Sequence, residues 1–79
     1  MDERITLLRQ FGLHNFPADT TPAECTELFD AWLSDHYPSF PSITAKAIGP
    51  LLVGLGFRRI GWKHGRVRLF NPHFGEVVI

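Results

Sequence analysis

Apolar positions in the middle of the chain recur with the period of a helix. Cys25, Leu28, Phe29, Trp32, Leu33 and His36 fall at i, i+3, i+4, i+7, i+8 and i+11, while Glu27, Asp30, Ser34 and Asp35 occupy the other face. Thr21-Pro22-Ala23-Glu24 marks the start of this helix. Thr21 can accept from the amide three residues on, Pro22 at the first helical position sacrifices no hydrogen bond, and Glu24 can reach back to the Thr21 amide. These signals predict a scaffold helix over residues 22–36. Upstream, Ile5, Leu8 and Phe11, with Leu7 beside them, predict a short helix over residues 2–11 that ends on Gly12. Residues 13–20 read as a connector in which Phe16-Pro17 is a hydrophobic plug.

Two prolines in Tyr37-Pro38-Ser39-Phe40-Pro41 end the scaffold helix, and Ser42 is a candidate N-cap for the next one. Ile43, Ala47, Leu51 and Leu55, widened by Ile48 and Leu52, predict that helix over residues 43–55, with Pro50 kinking or splitting it near Gly49. Its outward positions are Thr44, Ala45, Lys46, Pro50, Val53 and Gly54. They offer one charge and one hydroxyl, with no Asn, Gln or Arg to read base edges in a bidentate way.

After Gly56-Phe57 the period changes to two. Residues 58–62 and 66–70 read as strands of a hairpin turned by Lys63-His64-Gly65, a three-residue connection. Strict alternation puts Ile60 and Trp62 on one face with Val67 and Leu69, and Arg59, Arg66 and Arg68 on the solvated face. The predicted architecture is α+β and mostly α, a winged helix-turn-helix of three helices plus a C-terminal hairpin wing. It forms one domain over residues 1–79, in which residues 71–79 are a tail. The apolar end of the tail, Val77-Val78-Ile79, would pack back as a short strand or dock on a partner or a second copy, so a homodimer is among the expectations.

Charge sharpens this picture. The total is zero, yet residues 1–37 hold two basic residues against seven acids and residues 38–79 hold six against one. Five of the eight basic residues, Arg58, Arg59, Lys63, Arg66 and Arg68, lie on the hairpin. A neutral total argues against indiscriminate coating of nucleic acid, but a local basic patch can grip a backbone. The candidate nucleic-acid contacts are therefore Arg58, Arg59, Lys63, His64, Arg66 and Arg68 on the wing, with Lys46 and Thr44 on the third helix. The competing explanation is that charges on an exposed hairpin keep its edge from aggregating.

Other chemistry finds little support. His14, His36, His64 and His73 lack the paired spacing of a zinc site, and the lone Cys25 lies on the apolar stripe of a helix, where a buried inert thiol is expected. Gly54 and Gly56 are helix-end glycines with no Lys-Ser/Thr following, so no phosphate loop is present. Trp32 and Trp62 read as core anchors. The expectation is a non-enzyme without cofactors. No apolar run approaches the roughly 20 residues that span a bilayer, and Met1-Asp2-Glu3-Arg4 does not resemble a leader, so a cytoplasmic protein without a membrane association is expected.

The residues also carry a resemblance. Phe29 to Trp32, Ser42-Ile43-Thr44-Ala45-Lys46-Ala47-Ile48-Gly49-Pro50-Leu51-Leu52, Leu55-Gly56-Phe57-Arg58-Arg59 and Gly65-Arg66-Val67 resemble the winged-helix module at the C-termini of phage and plasmid replicative primase-helicases. The similarity covers about residues 25–70, and Pro50 departs from it by replacing a helix former. It implies a winged helix-turn-helix and nucleic-acid binding, and no catalysis; the expected partner is double-stranded DNA, held by its phosphate backbone. Two functions are thus expected: a small DNA-binding accessory or regulatory factor from a phage or mobile element, or a protein-interaction module that uses the same frame to bind and modulate a host machine.

Overall fold

The computed structural model describes residues 2–75. The elements run α1 (Glu3–Phe11), a single 3-10 turn (Leu13–Asn15), β1 (Asp19–Thr20), α2 (Pro22–His36), α3 (Ala45–Gly54), β2 (Arg58–Lys63) and β3 (Arg66–Phe70). The three strands form one antiparallel sheet in the order β1-β3-β2. This is an α+β, mostly helical fold, a winged helix-turn-helix with the β2–β3 hairpin as its wing. The end of the tail, residues 76–79, lies outside the described residues.

The helices begin and end where side chains satisfy backbone groups that the helix leaves over. Asp2 caps α1 by accepting from the Arg4 amide at 3.0 Å, and Thr21 caps α2 by accepting from the Glu24 amide at 3.3 Å. The reciprocal half of the expected capping box is altered: Glu24 accepts from the Thr20 hydroxyl at 3.3 Å. The third helix starts later than expected, because Thr44 rather than Ser42 is the cap, accepting from the Ala47 amide at 3.2 Å. That placement puts Ile43 just before the cap and Ile48 at the fourth helical position, the two positions of a hydrophobic staple, and both are buried.

At the other end of α3, Phe57 donates to Leu52 O at 3.0 Å and Gly56 to Val53 O at 3.1 Å. This is a Schellman ending, which requires the positive φ of 105° at Gly56 and brings the buried Phe57 toward Leu52. Pro50 neither ends nor divides the helix, which runs through it as one element from Ala45 to Gly54. Pro50 itself is exposed, and having no N–H it leaves the Lys46 carbonyl without its helical donor.

Leu7, Leu8, Phe16, Cys25, Phe29, Leu33, Ile43, Ile48, Leu52, Phe57 and Leu69 form the core. The Phe16 plug is fully buried, with ring centroids 5.2 Å from Phe11 and 6.1 Å from Phe57. Trp32 is half-buried at the edge of this aromatic group, stacked between Phe29 and His36. Two expected core residues are not there. Leu28 is 42 % exposed and Trp62 is 75 % exposed.

The connector 13–20 holds more structure than its sequence announces. Asp19–Thr20 forms β1, pairing Asp19 with Phe70 and Thr20 with Leu69, so the expected two-stranded wing is part of a three-stranded sheet. Asn71, read as the start of a tail, is the polar centre of the core. Its side-chain amide donates to Leu13 O at 2.8 Å and Phe16 O at 2.9 Å, its Oδ1 accepts from the His73 amide at 2.9 Å, and its own amide donates to Ala18 O at 2.8 Å.

Asn71→Ala removes the amide's bonds to the Leu13 and Phe16 carbonyls, leaving the buried Phe16 carbonyl without that donor while Leu13 O keeps the Phe16 amide, and should cost about 1–3 kcal/mol, a large part of the stability of a domain this size. Urea unfolding followed by circular dichroism should show an earlier midpoint. A midpoint equal to that of the wild type would show that water replaces the amide at no cost.

Candidate nucleic-acid interface

The wing turns on two residues, not the expected three. Lys63 pairs directly with Arg66, leaving His64 and Gly65 as the loop, both at positive φ (53° and 75°). This is the type I′ geometry whose twist matches that of the flanking strands. The register slips once. Arg59 pairs with Leu69 and Gly61 with Arg68, so Ile60 is an extra residue, a bulge in β2.

That bulge redistributes the side chains. Cross-strand partners share a face; Thr20, Leu69 and Arg59 therefore lie on one side of the sheet, with Val67 and Trp62 further along it. Asp19, Phe70 and Arg58 lie on the other, followed by Arg68 and then by Arg66 and Lys63. The expected common face of Arg59, Arg66 and Arg68 does not form, because the bulge shifts Arg59 out of phase. Near the helices the core side of the sheet is covered, and Leu69 is buried. Toward the turn the hairpin overhangs the core, leaving Ile60 at 46 % exposure as well as Trp62 in solvent.

The basic residues have separate roles. Arg68 is committed to a neighbouring strand, with Nε and Nη2 reaching the two Asp19 carboxylate oxygens at 2.8 Å and 2.6 Å. The guanidinium of Arg58 lies 5.7 Å from the centre of the Phe70 ring. Arg59 is exposed on the edge strand. Arg66 and Lys63 face one another on the last rung, and among the described residues neither has a hydrogen-bond or ion-pair partner. Opposed like charges weaken a hairpin.

Arg66 also joins two clefts. One, of about 370 Å³, is lined by Pro22, Ala23, Ala45, Lys46, Arg66 and Val67, where the first turns of α2 and α3 meet the start of β3. The other, of about 170 Å³, is lined by Thr21, Glu24, Lys63, His64 and Arg66. The fold thus gathers Lys46, Lys63, His64 and Arg66 around the positive ends of two helix dipoles. Of the remaining candidates, Arg58, Arg59 and Arg68 lie on the sheet away from both clefts, and Thr44, whose Oγ1 accepts from the Ala47 amide as the α3 cap, lines neither cleft. On α3 itself, Lys46, Pro50 and Gly54 are exposed, whereas Val53 packs against the core.

Sequence reading missed Trp62 as a surface residue. Trp62 keeps its expected face with Val67 and Leu69, so its exposure comes from the overhang of the hairpin and has no local signal; Gly61 marks instead the bulge that shifts Arg59. Among the described residues, no three His, Cys, Asp or Glu side chains come together as a metal site, and no helix is long and apolar enough to cross a membrane. Comparison with protein-family models, with curated proteins and with solved structures gives no match.

Cys25 is fully buried beside the Thr20 hydroxyl, and burial pushes its thiol up to about 11. Since the thiolate is the reactive form, a disulfide reagent should leave Cys25 untouched in the folded protein at about pH 8 and modify it fully in denaturant. Rapid labelling of folded protein would show that the site opens.

The Arg68 guanidinium, chiefly by hydrogen bonding, holds the Asp19 carboxyl below its ordinary value. A lowered carboxyl pKa stabilises the fold above the ordinary carboxylate range, and that contribution is lost as pH falls through it. Urea midpoints should therefore fall between about pH 6 and pH 3, and Asp19→Asn should show a smaller fall over the same range. Some acid sensitivity should persist in the variant, because Arg4 holds Asp2 low in the same way.

Proposed function

We propose that this chain is a small non-enzymatic DNA-binding protein that grips the phosphate backbone between the tip of its wing and the first turns of α2 and α3. The observation that carries this reading is the opposed pair Lys63 and Arg66, with Lys46 across the cleft. Folding gives no reason to set two cations on one rung of a hairpin. Protection of an exposed edge accounts for a charge on either strand here, since β1 pairs only with Leu69 and Phe70 of β3, but not for two like charges set opposite one another. A bridging phosphate would relieve the repulsion through charge-assisted hydrogen bonds to both residues. The surface of α3 offers little for reading base edges, so contacts to backbone and shape dominate. The resemblance to the winged-helix modules of replicative primase-helicases points the same way, toward an accessory or regulatory role in a phage or mobile element.

A protein-interaction role has its own observation, an apolar groove of about 610 Å³ lined by Glu3, His36, Tyr37, Pro38, Ser39, Phe40 and Pro41. The two readings part in a salt titration. Fluorescence anisotropy on duplex DNA should give log affinity falling linearly with log salt. Replacing both Lys63 and Arg66 with Gln should reduce the slope by about two units. Arg68→Gln should leave the slope unchanged, because that guanidinium is neutralised by Asp19, and Asp19→Asn should raise it by freeing the cation. Absence of wild-type binding at low salt, where backbone attraction is strongest, would remove the DNA reading and leave the groove as the surface to mutate.

A further inference from the structure

Among the described residues, Trp62 is the large apolar residue that the fold leaves most exposed, at 75 %. It stands in β2 opposite Val67, on the overhanging part of the hairpin, next in sequence to Lys63 and one rung from the Lys63–Arg66 pair. We propose that Trp62 is a stacking platform for an unpaired base, so that the preferred ligand is a duplex carrying a single-stranded extension; this rests on the phosphate-binding reading of the wing tip. An indole exposed to water has a free π-face, and base–aromatic stacking is tolerant of sequence because every base has such a face. A base inside a duplex is already stacked on both sides, and inserting a wedge there costs a few kcal/mol per step. A base beyond the end of a duplex has no such cost. The cations adjoining Trp62 supply the backbone contact that stacking alone lacks, and the poor reading surface of α3 leaves nucleic-acid structure, rather than base sequence, as the property to be recognised.

Covering of Trp62 by a second copy of the chain is disfavoured by charge. The route would be pairing of two β2 edge strands, and each carries Arg58, Arg59 and Lys63. Pairing would bring like charges together, and the bulge at Ile60 twists the edge away from a flat partner.

The test compares a blunt hairpin duplex with the same duplex bearing a 5′ or a 3′ single-stranded overhang, for wild type, Trp62→Ala and Trp62→Phe, by fluorescence anisotropy with circular dichroism as the folding control. Wild type should prefer one of the overhang ligands. Trp62→Ala should weaken overhang binding roughly 5- to 100-fold, as expected for one stacked base, while blunt-duplex affinity changes by less than about twofold; Trp62→Phe, which keeps an aromatic face, should retain most of the preference. Quenching of the emission that separates wild type from Trp62→Phe, when overhang DNA is added, would report the stack directly. Equal wild-type affinity for blunt and overhang ligands would overturn the stacking proposal and leave phosphate binding intact, as would a Trp62→Ala loss of the same size on both. A dimer in sedimentation that Trp62→Ala dissociates would overturn it in favour of self-association. Absence of binding to every ligand at low salt would remove both readings.

Discussion

The side-chain amide of Asn71 ties the exit of the sheet's central strand to the segment that joins the first two helices. It stands at the exit of β3 and donates to two carbonyls of the segment between α1 and α2. With its backbone bond to Ala18, it locks that segment against the sheet, so that Phe16 points into the core and Asp19–Thr20 lies in register with β3. The start of α2 follows directly from that register. A buried amide without partners would be costly, whereas one that meets two carbonyls and an amide specifies a unique arrangement. His73 extends the tie by bonding through Nε2 to Leu55 O at 2.8 Å, which ties the same end of the chain to the end of α3.

An anchored base leaves a free tip. The β2–β3 hairpin is held where Leu69 is buried between Thr20 and the helices, and it projects beyond the core at Trp62, Lys63 and Arg66. The division explains how its basic residues differ. Arg68, near the base, reaches the Asp19 that β1 brings beside it, and becomes part of the sheet. Arg66, two residues nearer the turn, has gone past the end of β1 and makes no ion pair among the described residues, although Glu24 lines one of its clefts. One short strand therefore separates a structural arginine from one available to an external anion.

The helix-turn-helix contributes position more than chemistry. Thr44 is used as a cap and Ile43 as a staple, Val53 packs inward, and Pro50 and Gly54 present surfaces without donors. What remains is Lys46 in the first turn, facing the same cleft as Arg66, where the dipoles of α2 and α3 both favour negative charge. On the proposed reading, a surface of this kind would distinguish the shape and end structure of a nucleic acid better than its base order, because it offers few groups to a groove and several to a phosphate.

Much of the fold is legible locally. The Thr21-Pro22-Ala23-Glu24 start, the apolar stripe through Phe29 and Leu33, the Leu55-Gly56-Phe57 exit and the Gly65 turn each act within one or two helical turns or a single hairpin, so neighbouring residues suffice to specify them. Concentration of cations on the wing is equally plain in the order of residues. The tertiary structure decided the rest: that Asp19–Thr20 is a strand, that Asn71 is a core residue, that Arg68 is neutralised and Arg66 is not, and that Trp62 lies outside. Each depends on partners far away in sequence, with Asp19 and Arg68 separated by 49 residues. Arg59 depends further on one extra residue at Ile60, which reverses the alternation on which a reading of strand faces relies, whereas Trp62 keeps its expected face and is exposed because the hairpin reaches past the core. Period and capping are properties of the nearby chain; pairing register and the reach of the core are properties of the assembled sheet, and the candidate site is made from the latter.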